Sequence, residues 1–170
     1  MHPRAQLARF IAAFTPEIAA QTRAILAKMR ARLPGAVELV YDNYNALAIG
    51  FAPSERTSET VFSIAVFPRW VSLFFFRGRA LADPHGMLRG TGNQVRHIVL
   101  DGPKRLDDPA VVDLMAQALA LAAPPIDPDR PRRLVIKSVS PTQRPRRPVT
   151  SAGATRRRAS PARAPRTRPR

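Results

Sequence analysis

The C-terminal segment constrains the fold most, because it lacks what a folded core requires. Residues 130–170 contain thirteen Arg, one Lys and seven Pro, but no Asp, Glu, Phe, Trp or Tyr. Dense like charge without apolar side chains cannot offset the backbone entropy that folding costs. The sequence therefore predicts a disordered Arg/Pro/Ala-rich basic tail over residues 141–170, an arm or edge strand over 126–140, and a folded domain over 1–125.

The net charge follows the same division. Residues 1–129 carry fourteen basic and twelve acidic side chains, which gives +2 and leaves +14 of the total of +16 for residues 130–170. The absence of cysteine excludes disulfides, thiolate nucleophiles and sulfur-ligated zinc. No apolar run approaches the roughly 18 residues of a membrane span, and Arg9 interrupts the N-terminal apolar run, so we expect a cytoplasmic protein without membrane partners.

Helix signals stand at both ends of the folded region. Thr15-Pro16-Glu17 combines an N-cap, a proline at the first helical position and an acid near the positive end of the helix dipole, and Pro34-Gly35 ends that helix. A shorter helix is expected over Arg4–Phe14. A closing helix starts at Asp107-Asp108-Pro109 and ends at Pro124-Pro125, with an apolar face that includes Val111, Val112, Leu114, Met115, Ala118, Leu119 and Leu121.

Between the helices lie five segments of strand character with mostly short connections. They are Val37–Tyr41, Ala46–Phe51, Thr60–Phe67, Trp70–Phe76 and Val95–Leu100. Short connections favour antiparallel pairing. The sequence therefore predicts an α+β fold, with an antiparallel sheet of about five strands flanked by N-terminal and C-terminal helices.

The aromatic segment Trp70–Phe76 is apolar on both faces. Alternation places Val71, Leu73 and Phe75 on one face and Trp70, Phe74 and Phe76 on the other. One face can lie under the helices. The other must meet another helix, a ligand or a partner subunit, the last of which would make the protein a homodimer.

Residues Phe14–Leu121 contain four landmarks: Leu33-Pro-Gly-Ala-Val-Glu38, the Tyr41–Tyr44 turn, the strand pair Phe62–Val66 and Trp70–Phe76, and Leu88-Arg-Gly-Thr-Gly92 leading into Val95-Arg-His-Ile98. With these landmarks the segment resembles the YdhG-like family of bacterial domains of unknown function. It implies a helix-flanked antiparallel sheet. Some relatives are labelled frataxin-like iron chaperones, which makes intracellular iron delivery an alternative function by analogy of fold.

A second candidate activity is anion binding at the loop before the last strand of the folded region. Backbone N–H groups of Gly90-Thr91-Gly92-Asn93 could converge on a phosphate or carboxylate. Arg96 and His97 point to opposite faces of their strand, so only one of them can serve such a pocket. The alternative is a tight loop without a ligand. The candidate ligand-binding residues are Arg89, Gly90, Gly92, Asn93, Arg96, His97, Trp70, Phe74 and Phe76.

Catalytic signatures are absent from the sequence. The three histidines, His2, His85 and His97, stand in no hydrolase motif, so no catalytic residue is predicted and an enzyme of unknown reaction is the less favoured alternative. Iron delivery would need clustered carboxylates. The acids that come nearest to a cluster in the sequence are Asp101, Asp107, Asp108 and Asp113. No cofactor is expected, except iron under the iron-chaperone alternative.

The basic tail is the remaining functional feature. A polycation binds phosphate backbones by releasing condensed counterions, and without aromatic residues it cannot stack on bases. The tail arginines are Arg144, Arg146, Arg147, Arg156, Arg157, Arg158, Arg163, Arg166, Arg168 and Arg170. The sequence thus predicts a non-enzymatic small-ligand or anion-binding module whose tail binds nucleic acid nonspecifically, with a purely solubilising tail as the alternative.

Overall fold

Each of the two N-terminal helices begins directly after its N-cap residue. The structure is a computed structural model, and it describes residues 1–149. Helix α1 spans Pro3–Ala12, and helix α2 (Pro16–Arg32) follows Thr15, whose Oγ1 accepts a hydrogen bond from the N–H of Ile18 at 3.3 Å. The predicted cap is therefore confirmed. Among the described residues no helix is both long and apolar enough to cross a membrane.

Six strands of the described chain form one sheet. They are β1 (Val37–Asp42), β2 (Leu47–Ala52), β3 (Phe62–Val66), β4 (Val71–Phe75), β5 (Arg96–Leu100) and β6 (Arg133–Val139). Their order across the sheet is β5-β4-β3-β2-β1-β6, in which β1 to β5 pair antiparallel and β6 runs parallel to β1. The predicted α+β fold is confirmed, with six strands in place of about five.

Strand β6 accounts for the additional strand. For residues 126–140 the sequence predicts an arm or an edge strand, and the structure has the strand over 133–139. Leu134 and Ile136 pack on the helix-covered side of the sheet and Val135 on the other. The connection from β5 to β6 is a crossover that contains helix α3 (Pro109–Ala120). Because this crossover returns the chain to the end of the sheet at which β1 and β5 begin, β6 runs parallel to β1.

The main core lies between the helices and one face of the sheet. Val71, Leu73 and Phe75 are fully buried there, as the alternation predicts. From α3 the buried residues are Val111, Leu114, Met115 and Ala118. Val112 and Leu121 are exposed, contrary to prediction, because the apolar run of this helix is wider than the arc that contacts the core.

The second face of the sheet is covered at one end by the connection between β2 and β3. The hydroxyl groups of Tyr41 and Thr57 are hydrogen-bonded at 2.6 Å, and a Cβ at Gly50 would stand 3.2 Å from the Thr60 methyl group. Leu39 beneath this connection is completely buried. The cover is therefore a loop of the same chain, an arrangement that the pattern of the strands did not reveal.

Residues 140–149 follow β6 and pack against the body. The guanidinium of Arg146 donates to Asp42 Oδ1 at 2.7 Å, and its carbon lies 5.5 Å from the centre of the Phe14 ring. The Nε of Arg147 donates to the carbonyls of Ala13 and Phe14, each at 3.2 Å. This differs from the prediction of an unstructured chain from residue 141 onward. Acceptors in the body, of which Asp42 is buried, bind arginines that composition alone assigns to a solvated tail.

Candidate anion-binding pocket

The glycine loop predicted as an anion site is filled by an arginine of its own strand. Arg96 Nη1 donates to the carbonyl oxygens of Gly92 at 2.6 Å and Val95 at 2.8 Å. An anion site would need backbone N–H groups turned inward, whereas these are acceptors. Gly90 has φ +119°, a conformation that favours glycine, and Arg89 next to it pairs with His97 through two backbone bonds of 2.9 Å. The loop thus supports strand β5; Gly92 and Asn93 are exposed.

The three aromatic candidates do not converge on one cavity. Phe74 stacks on His97 with ring centroids 5.0 Å apart, on the sheet face away from the helices. Trp70 lies at the opposite end of β4 and stacks on Phe67 at 4.7 Å, with 44% of its surface exposed. Phe76 is half-buried beyond the end of the strand. Arg96 shares the other face with Phe75, so Arg96 and His97 are separated as predicted.

A different cavity brings arginines together. It lies between α1, α2, β1 and the start of β6 and has a volume of about 270 Å³. Its polar lining consists of Arg4, Arg23, Arg30, Glu38 and Arg132, and its apolar lining consists of Leu7, Ala8, Ile11, Leu26 and Leu134. We call this cavity the arginine pocket. With four arginines and one glutamate its formal charge is +3.

One acid and one arginine of the pocket form a fixed pair. Arg30 donates from Nε to Glu38 Oε1 at 2.8 Å and from Nη2 to Oε2 at 2.7 Å. Glu38 is 1% exposed, so its carboxylate is held almost entirely by this two-pronged contact. The pair neutralises the only acid in the lining and fixes the orientation of the Arg30 guanidinium.

The other three arginines contact no acid among the described residues. Arg132 Nη2 donates to the main-chain carbonyl of Arg30 at 3.0 Å, and Arg4 and Arg23 donate no side-chain hydrogen bond within residues 1–149. These three arginines line the concave surface of the pocket, and no acidic side chain balances their charges there. Such a surface attracts small anions.

The spacing of arginines and apolar residues along α1 and α2 could have indicated part of this pocket from the sequence. Arg4, Leu7 and Ile11 lie at positions i, i+3 and i+7 of α1, and Arg23 and Arg30 lie two turns apart on α2. An exposed arginine one or two helical turns from buried apolar residues, such as Arg4 before Leu7 and Ile11, indicates a charged site at the edge of the core. The contribution of Arg132, more than a hundred residues away in sequence from Arg23, depends on where β6 docks and could not be read from the pattern.

Two of the acids considered for iron, Asp107 and Asp108, have partners within the folded body. Asp107 binds Lys28 and, at 2.6 Å, Arg32. The hydrogen bond from Lys28, together with the nearby positive charges, lowers the pKa of Asp107 below its ordinary value of 3.8. Asp108 caps α3 by accepting from the N–H of Ala110 at 3.0 Å. Within residues 1–149 no three acids or histidines are grouped to hold a metal ion.

The tail arginines divide between described and undescribed residues. Arg146 is buried with Asp42, while Arg144 and Arg147 are exposed. The remaining ones lie outside the described residues; they are Arg156, Arg157, Arg158, Arg163, Arg166, Arg168 and Arg170. Arg146 is thus a structural residue and is removed from the candidate nucleic-acid contacts, since its guanidinium is enclosed.

Comparison of the chain with profiles of known protein families, with curated proteins and with solved structures found no match. The YdhG-like resemblance accordingly stays a prediction. Any assignment of function has to rest on the residues of the chain itself.

Proposed function

We propose that the chain is a non-enzymatic binding domain whose arginine pocket takes a small anion with an apolar part. The observation that carries the proposal is the unbalanced charge of the lining, in which Arg4, Arg23 and Arg132 have no acid partner among the described residues. Planar guanidinium groups match the paired oxygens of carboxylates and phosphates. A ligand of charge about −2 would neutralise most of this excess.

The apolar part of the lining supports a ligand that is more than a simple ion. Leu7, Ile11 and Leu26 belong to the main core, and they adjoin Ala8 and Leu134 at the pocket. At about 270 Å³ the cavity is slightly smaller than the roughly 300–1,000 Å³ of typical ligand sites. A single ring or a short aliphatic group bearing a phosphate or carboxylate matches this size.

The chemical character of the lining favours binding over catalysis. Its polar residues are arginines and one glutamate, with no Ser, Thr, Tyr or His. Glu38 is held by Arg30 in a two-pronged ion pair, which occupies both carboxylate oxygens. Without a free base or nucleophile, the pocket has little means to activate a substrate.

Calorimetric titration of the full chain with phenyl phosphate, inorganic phosphate and phenol tests this proposal. Phenyl phosphate should bind best, since only it offers both a charge for the arginines and a ring for the apolar lining. Arg23→Gln should weaken it by about 10-fold or more, the effect of one lost charge-assisted hydrogen bond. Arg69→Gln, an exposed arginine in the turn between β3 and β4, is the matched control and should bind like the wild type.

A steric variant separates the pocket from general electrostatics. Ala8→Phe keeps every charge and places a ring in the cavity from the exposed side of α1, so it should abolish binding of phenyl phosphate. Equal affinity in the wild type and Ala8→Phe, or equal losses in Arg23→Gln and Arg69→Gln, would contradict the proposal.

A second candidate function is nonspecific binding of nucleic acid by the C-terminal segment. The observation favouring it is that residues 150–170 contain seven arginines and no acid. Each arginine that contacts a phosphate releases counterions, which produces an affinity that does not depend on the base sequence. Binding of the full chain to duplex DNA should therefore fall steeply with salt, and a shallow salt dependence would argue against it.

A further inference from the structure

We propose that a second groove of the fold binds a small monocarboxylate with an aliphatic chain. The groove lies between α1, the end of β6 and the segment that follows β6, and it has a volume of about 530 Å³. We call it the α1–β6 groove. Among the described residues its lining has no member in common with that of the arginine pocket, and its volume is within the roughly 300–1,000 Å³ of typical ligand sites. The inference is therefore independent of the ligand proposed for that pocket.

The first support is a buried arginine of the lining that keeps N–H groups without an acceptor. The side chain of Arg146 is 7% exposed, and its Nη2 donates to Asp42 Oδ1 and to the carbonyl of Asn43. Its Nη1 is fully enclosed and has no hydrogen-bond partner among the described residues. The ring of Phe14, centred 5.5 Å from the guanidinium carbon, is a weaker partner than an oxygen atom. Because buried N–H groups are nearly always hydrogen-bonded, an oxygen of a bound ligand would complete the contacts of this guanidinium.

The second support is the charge that the lining leaves unbalanced. Among the described residues of the lining Asp42 is the only acid, and its two oxygens accept from Arg146 and from Gln143 Nε2. Arg9 also belongs to the lining, is exposed, and pairs with no acid within residues 1–149. The net charge of +1 matches one carboxylate, whereas a phosphate dianion would bring a second charge without a partner.

The third support is the apolar surface beside this charge. Met1 and Val139 line the groove and are 76% and 47% exposed, and Phe10, also in the lining, packs against the main core. The Nη1 atom of Arg9 lies 3.5 Å from the sulfur of Met1, so the unbalanced charge and the apolar surface adjoin. An aliphatic chain laid on these side chains removes apolar area from water, which favours binding. One charge next to an apolar surface therefore selects an aliphatic carboxylate over an inorganic anion.

Calorimetric titration of the full chain with octanoate, acetate and 1-octanol tests the inference. Octanoate should bind at least about tenfold more tightly than the other two, because acetate lacks the chain and 1-octanol lacks the charge. Equal affinities for octanoate and acetate would overturn it. N-acetyl-leucine represents the carboxylate at the end of a peptide, and tighter binding of this probe than of octanoate would overturn the assignment to an aliphatic chain.

Two variants locate the bound octanoate. Arg9→Gln removes the unbalanced charge and should weaken binding about tenfold. Val139→Trp keeps every charge and places a large side chain in the groove, so it should abolish binding. The controls, Arg23→Gln in the arginine pocket and Arg69→Gln on the surface, should bind octanoate like the wild type. Unfolding midpoints equal to that of the wild type establish that each variant is folded.

The outcomes separate this groove from the arginine pocket. Wild-type affinity for octanoate in both Arg9→Gln and Val139→Trp overturns the inference. If Arg23→Gln alone loses octanoate, the ligand occupies the arginine pocket, which overturns the groove and leaves the proposed function standing. Loss of octanoate in the two groove variants supports the inference even where phenyl phosphate fails to bind the arginine pocket.

The contact with Arg146 is tested without replacing this residue, because its ion pair with Asp42 is buried. In the full chain with ¹⁵N-labelled arginine, saturating octanoate should shift the side-chain N–H signal of Arg146, which is assigned by its absence in Arg146→Lys. The signal of Arg69 is the control and should keep its position. An unshifted Arg146 signal at saturation would overturn the inference, since the ligand would then bind elsewhere.

Discussion

Removing the buried partner of Asp42 should destabilise the folded chain far more than removing a surface ion pair. Asp42 and Arg146 have side chains only 6% and 7% exposed and meet at 2.7 Å. Arg146→Met keeps most of the side-chain volume but leaves the carboxylate without its cation. The perturbation therefore isolates the charge from the packing.

The expected magnitude follows from the burial of the pair. Two unit charges about 4 Å apart attract by about 4 kcal/mol at an effective dielectric constant near 20. Breaking one buried pair by removing a single partner typically costs about 3–5 kcal/mol, because the remaining charge is left desolvated. Gln143 still donates to the other carboxylate oxygen, so we expect the lower part of this range, about 3 kcal/mol.

Urea denaturation of the full chain at neutral pH measures this cost. Arg130→Met is the matched control, since Arg130 and Asp127 form an exposed pair with side chains 61% and 52% exposed, worth about 0–1 kcal/mol. A loss below about 1 kcal/mol for Arg146→Met, indistinguishable from the control, would refute the reasoning. The same energetics predict that a chain cut after Val139, which lacks Arg146, is destabilised. Tests of the tail should for that reason use substitutions.

Two further predictions concern the sheet and the acid response. Phe75→Ala should lower the free energy of unfolding by about 3–5 kcal/mol, since Phe75 is completely buried, whereas Phe74→Ala on the half-exposed face should cost clearly less; equal losses in urea denaturation would show that the faces are misassigned. Because the pKa of Asp107 is lowered on folding, its ion pairs stabilise the chain above pH 3.8 and are lost as the pH falls through the lowered pKa. Asp107→Asn should therefore lower the unfolding midpoint near neutral pH, and the difference from the wild type should shrink as the pH falls below 3.8; a pH-independent difference would contradict this.

Local features of the sequence determined the helices and most of the strands. Thr15 caps α2 as predicted because the side chain of an N-cap residue satisfies an N–H only three positions away. The alternation in β4 assigned Val71, Leu73 and Phe75 to the core, since successive side chains of a strand point to opposite faces whatever the strand pairs with. Such features depend on neighbours in sequence and can therefore be predicted without knowledge of the tertiary structure.

Sites assembled from segments that are distant in sequence could not be predicted from such local features. The glycine loop indicated an anion site, but Arg96 turned back into the loop and bound its carbonyls. The arginine pocket needed Arg4 on α1, Arg23 on α2 and Arg132 before β6 to meet. Nothing in any one of these segments specifies the other two.

By itself the sequence determined an α+β domain followed by a basic segment, because composition and periodicity decide which residues can be buried at all. Only the tertiary structure decided where that segment starts. Strand β6 docks parallel to β1 and carries Arg146 to Asp42, an acid 104 positions earlier in the chain. Within a uniformly basic run, the arginine that becomes buried is selected by an acceptor elsewhere in the fold, and this selection depends on three-dimensional proximity rather than on residue type.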